Sequence, residues 1–85
     1  MLHEYRKKTT IKAEQFDGSK EMIEKYDVRD SLRIGYELFH SEIYRLPTKE
    51  GIMTIYIGDW IATGIDGEHW AIADDIFRRT YERCD

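Results

Sequence analysis

Residues 58–72, GDWIATGIDGEHWAI, constrain this chain more than any other stretch. Asp66-Gly67 lies between two apolar, β-prone halves. An Asp-Gly pair suits a tight two-residue type I′ turn, whose central residues both need positive φ. With that turn the register follows: Ile65 faces Glu68, Thr63 faces Trp70, and Ile61 faces Ile72. Ile61, Trp70 and Ile72 then share a bulky face. Trp60, Ala62, Gly64, His69, Ala71 and Ala73 share the other, so the two tryptophans point to opposite sides. Trp60 stands beside a floor of small residues. Either it packs within the protein, the reading that a large aromatic ring favours, or it overlooks a shallow apolar surface for a partner.

The rest of the chain supplies elements to pair with this hairpin. Residues 9–16, TTIKAEQF, alternate as a half-buried strand, with the basic run Arg6-Lys7-Lys8 as its solvated entry. Asp17-Gly18 ends the strand, and Ser19 is a ready N-cap for a helix starting at Lys20. Met22, Ile23 and Tyr26 share one face of that helix and are read as core. A helix this short needs packing against a sheet to persist. Residues 27–31 read as a loop, and the alternation over 32–38 as a strand. His40-Ser41 breaks the phase, which places a second strand piece at 42–46. Pro47 belongs at a strand end or an edge, residues 48–51 form a hairpin turn, and 52–57 is the most β-prone run. Asp74 is a fair N-cap for one helical turn, with Ile76 and Phe77 plugging the end of the core. Residues 80–83 can form a last short strand. The expectation is one α+β domain over residues 1–85. It comprises a small antiparallel sheet of about four to six strands with one short helix packed on it.

Composition limits function more than it defines it. Eighty-five residues make one domain, and an aromatic share of 13% gives so short a chain the bulk for a core. A net charge of −4 argues against direct nucleic-acid binding, which needs clustered Lys and Arg. Cys84 is the single cysteine and cannot form an internal disulfide. The opening MLHEYRKKTT lacks a signal peptide's apolar stretch, and no apolar run has membrane-spanning length. A cytoplasmic location away from membranes is expected.

No catalytic residue, metal ligand set or cofactor motif stands out. His3, His40 and His69 are scattered without metal-site spacing, and the glycines are isolated turn residues. The one arguable constellation is acidic: Asp59, Asp66, Glu68, Asp74 and Asp75. Each has a plain structural reading, Asp59 in a corner, Asp66 in a turn and Asp74 as a cap. The candidate binding residues are Asp59, Trp60, Glu68, His69, Asp74 and Asp75. A non-catalytic interaction module acting on another protein is the first reading. A small metal-dependent enzyme using the acidic stretch is the second, since paired carboxylates hold divalent cations or act as acid and base. An acidic inhibitor of a host defence nuclease is a third, although −4 is mild for a nucleic-acid mimic.

Several motifs resemble a family of small phage and prophage proteins common in phages of Gram-positive bacteria. They are Tyr5-Arg6-Lys7-Lys8, Ala13-Glu14-Gln15-Phe16, Gly58-Asp59-Trp60-Ile61 with Gly64 and Gly67-Glu68, and Asp75-Ile76-Phe77 with Thr80-Tyr81-Glu82. The likeness covers both ends of the chain in order, while the middle is not diagnostic. Thr9 stands where the family usually has Pro, and Trp70-Ala71-Ile72-Ala73-Asp74 replaces its frequent Pro-Cys-Lys-Pro. The resemblance implies a phage or prophage product in a bacterial cytoplasm and nothing on mechanism; for the interaction module the expected partner is a host or phage protein. The resemblance carries no functional residue across.

Overall fold

A computed structural model describes residues 2–30 and 44–85 of the chain. The strand expected over 32–38, the phase break at His40-Ser41 and the first residues of the 42–46 piece lie outside the described residues. The architecture is α+β. Strand β1 (Lys12–Gln15) leads to helix α1 (Lys20–Lys25) and the short strand β2 (Arg29–Asp30). Strands β3 (Tyr44–Thr48), β4 (Gly51–Ile55), β5 (Trp60–Thr63) and β6 (His69–Ile72) follow, and then helix α2 (Asp74–Thr80). The single sheet expected from the sequence is instead two antiparallel three-stranded sheets, ordered β1-β5-β6 and β2-β3-β4. Strand β6 lies against β3 and β4, which brings the sheets together.

Local chemistry explains α1. The Ser19 hydroxyl accepts from the Met22 N–H at 3.2 Å, Glu21 occupies the positive end and Lys25 the negative end. Met22 and Tyr26 are buried and Ile23 packs on the core. Phe16, Val28, Leu46, Ile55 and Ile61 complete that core. Asp27 turns the chain out of the helix at φ +56, and pairing resumes at Arg29, inside the stretch expected to be a loop. Hairpin β3–β4 turns through Lys49-Glu50, with Thr48 opposite Gly51. Pro47 lies beyond Arg45, where β2 stops pairing, so its missing N–H breaks no ladder bond on that side.

The Asp66-Gly67 hairpin forms, but its register is one residue from the expected one. Thr63 pairs with His69, Ala62 with Trp70, Ile61 with Ala71 and Trp60 with Ile72. The cause is turn type. The Gly64 N–H donates to the Glu68 carbonyl at 2.9 Å and the Gly67 N–H donates to the Gly64 carbonyl at 3.0 Å. Ile65-Asp66-Gly67 is therefore a three-residue loop, with positive φ at Gly67 (+81°) and not at Asp66. This is the type I turn followed by a left-handed glycine. A shift of one residue exchanges faces. Trp60, Ala62, Trp70 and Ile72 lie on one side of the sheet, so the two tryptophans share a face.

Three further expectations give way at the C-terminus. Asp74 is the first helical residue of α2, behind an Ala73 N-cap that makes no side-chain cap bond. The helix runs on to Thr80, and no strand forms over 80–83. Arg78 bridges back to Asp74 at the i, i+4 spacing, and the Tyr81 ring stacks on Phe77 at 5.2 Å. Phe77 covers Trp60, while Ile76 remains 45% exposed and does not plug the core.

Candidate functional site

Among the described residues singled out in the sequence, Trp60 and Asp74 are joined by a direct side-chain hydrogen bond. The Trp60 indole Nε1–H donates to Asp74 Oδ1 at 2.8 Å, and its ring stacks on Phe77 at 4.1 Å with planes 12° apart. Arg78 Nε donates to both Asp74 oxygens at 2.9 and 3.1 Å, and Gln15 Nε2 donates to Oδ1 at 3.3 Å. The indole bond, aided by Arg78, holds the Asp74 carboxyl below its ordinary pKa against the opposing effect of burial. A carboxylate with three donors is occupied in pinning α2 to the sheet.

The other candidates are dispersed. Asp59 Oδ2 accepts from the Tyr56 N–H at 3.0 Å, and the Asp59 carbonyl accepts from the Phe16 N–H at 2.7 Å. This is a corner that locks β5 to the end of β1. Glu68 Oε1 accepts from the Asp66 N–H at 3.0 Å and so braces the hairpin loop. His69 lies on the opposite face from Trp60, with its Nδ1 2.9 Å from the Thr63 hydroxyl. Asp75 is exposed in the first turn of α2. Among the described residues no three His, Cys, Asp or Glu side chains come close enough to hold a metal ion.

Two concave regions flank His69. One, about 370 Å³, lies between the β3–β4 turn and β6, where Lys49, Glu50, Met53, Glu68, His69 and Trp70 meet. The other, about 410 Å³, lies where α1 meets the β1-β5-β6 sheet. Its polar groups come from Lys12, Glu14, Lys25, Tyr26, Thr63 and His69. Only His69 of these was visible as a candidate from the sequence. No spacing rule could have found the set, because α1 and three separate strands contribute to it.

A third feature is the β2-β3-β4 sheet. Strand β4 is one edge of it, and no described strand pairs with its outer side. Residues 51–58 carry no charge in a chain that is 35% charged. Ile52, Met53, Tyr56 and Ile57 are 60, 37, 58 and 51% exposed. On the outward face, Arg29 and Arg45 stand directly opposite each other, and Ile52 and Thr54 extend that face. Arg29 reaches Asp27 at 3.3 Å. The uncharged run was the available sequence signal, but it reads equally well as a buried strand.

Compared with family models, curated proteins and solved structures, the chain matches none. Among the described residues, no helix is long and apolar enough to cross a membrane.

Proposed function

We propose that this chain is a non-catalytic interaction module of phage or prophage origin that works in a bacterial cytoplasm on a host or phage protein. The observation that carries the reading is the β4 edge with its exposed Ile52 and Tyr56. A sheet edge offers a row of backbone donors and acceptors, and proteins normally blunt such edges with Lys, Pro or bulges. Strand β4, Gly-Ile-Met-Thr-Ile, has none of the blunting residues. A partner strand laid along it gains main-chain hydrogen bonds, and the flanking apolar and arginine side chains supply contact area and selectivity. The motifs shared with small phage proteins support the origin. Among the described residues, no grouping of three acidic side chains supports a metal-dependent enzyme.

The test is affinity capture from a Gram-positive host lysate with the wild-type chain, Ile52→Lys and Ile65→Lys. Ile65 is 76% exposed in the loop of the β5–β6 hairpin, which belongs to the other sheet. A protein captured by wild type and Ile65→Lys but lost with Ile52→Lys supports the reading. Equal capture by all three refutes it.

A further inference from the structure

We propose that the cleft between α1 and the β1-β5-β6 sheet binds a small oxyanion, a phosphate or carboxylate group. Lys12 pairs across the ladder with Thr63, and Thr63 with His69, so the three form one row over three strands. Residues in such a row present their side chains on the same face of a sheet. Glu14 follows one pleat further along β1 on that face, under α1. Together with Lys25 and Tyr26 these residues line the cleft of about 410 Å³, a size suited to a small ligand.

The charges in the cleft are fixed. Glu14 Oε1 accepts from Lys25 Nζ at 2.7 Å and from the Tyr26 hydroxyl. The Lys25 bond first, then the Tyr26 bond, hold the Glu14 carboxyl below its ordinary pKa, and the same contact with Glu14 raises Lys25. Both groups are therefore ionised at neutral pH. Lys12 is exposed and makes no ion pair among the described residues. Two ammonium groups thus face one carboxylate, inside a chain whose net charge is −4. The His69 ring is oriented from two sides. Thr63 holds Nδ1 at 2.9 Å, and the Tyr26 ring meets the imidazole edge-on at 5.0 Å and 89°. That leaves Nε2 outside the Thr63 contact. Holding α1 on the sheet explains Glu14, Lys25 and Tyr26, but it gives no role to Lys12 in the same cleft. An anion gives Lys12 and the Nε2 of His69 a common partner.

The test is an NMR titration of the full chain with inorganic phosphate and, separately, with acetate, at constant ionic strength. The expected result is a saturable shift of the Lys12, Glu14, Thr63 and His69 amides with at least one probe; the probe that saturates identifies the anion type. Lys12→Ala, a change at an exposed site, is expected to weaken that affinity about tenfold while leaving the melting temperature unchanged. Glu14→Gln keeps an oxygen for Lys25 and Tyr26 but removes the opposing charge, so it is expected to tighten binding. No saturable shift with either probe overturns the proposal. So does an affinity that Lys12→Ala leaves unchanged or Glu14→Gln fails to raise.

Discussion

Trp60→Ala is expected to cost about 2–4 kcal/mol of folding stability. Removing a fully buried Trp costs roughly 3–5 kcal/mol. Trp60 is only half-buried, which lowers that share, but its ring is stacked on Phe77 at 4.1 Å. Such an aromatic pair adds about 0.5–1.5 kcal/mol. Ala62, the next residue of β5 on that face, is fully buried, and Gln15 and Ile72 are the cross-strand neighbours of Trp60. For a domain of this length each kcal/mol moves the melting temperature by roughly 4–8 °C, so the drop is about 8–32 °C. Thermal melts of Trp60→Ala, Phe77→Ala and the double variant measure this directly. The stack predicts that the double variant loses less than the sum of the singles, by about 1 kcal/mol. A Trp60→Ala protein that melts within a few degrees of wild type refutes the packing argument. Strict additivity refutes the stack.

Other expectations follow from local geometry. Ser19→Ala removes the acceptor for the Met22 N–H and should cost about 1 kcal/mol, read in denaturant melts. Gly67→Ala forces an L side chain into φ +81 and should cost about 1–2 kcal/mol, with Gly67→Asn losing less. Glu14 has a depressed carboxyl pKa in the folded chain, so its stabilisation is present above the ordinary glutamate range and is lost as pH falls through the folded value. Wild type should therefore melt above Glu14→Gln at neutral pH, and the two curves should converge on acidification. A gap that persists into acid sinks that assignment.

The parts legible in the sequence are those decided by neighbours along the chain. Ser19 capping, the apolar face of α1 and the Lys49-Glu50 turn each rest on a few adjacent residues. The Asp66-Gly67 hairpin was legible in place but not in phase. A two-residue loop and a three-residue loop both use that glycine, and they differ by one residue in register. Burial could not arbitrate, because Trp60, Ile61 and Ala62 are apolar on both faces of β5 and both faces are covered. The split into two sheets was hidden for a different reason. Strand β1 pairs with β5 across most of the chain length, and such nonlocal pairing leaves no local pattern. The extent of α2 was missed because Thr80 favours strands by propensity. The Asp74–Arg78 pair and the Phe77–Tyr81 stack outweigh that preference. Among candidate residues, Trp60 and Asp74 drew notice by type, yet their contact depended on the β5–β6 register and the start of α2. Arg29 and Arg45 gave no signal at all until their strands were paired.

The central claim is that the β4 edge receives the partner, and amide hydrogen exchange of the chain alone and with its captured partner tests it most directly. Backbone amides exposed along an edge exchange readily, and those taken into a new ladder slow down. Added partner is expected to slow exchange over Gly51–Ile55, with smaller changes in β3 and none at the 65–67 hairpin tip. Unchanged exchange over Gly51–Ile55, with protection concentrated on α2 or the hairpin tip, would contradict it.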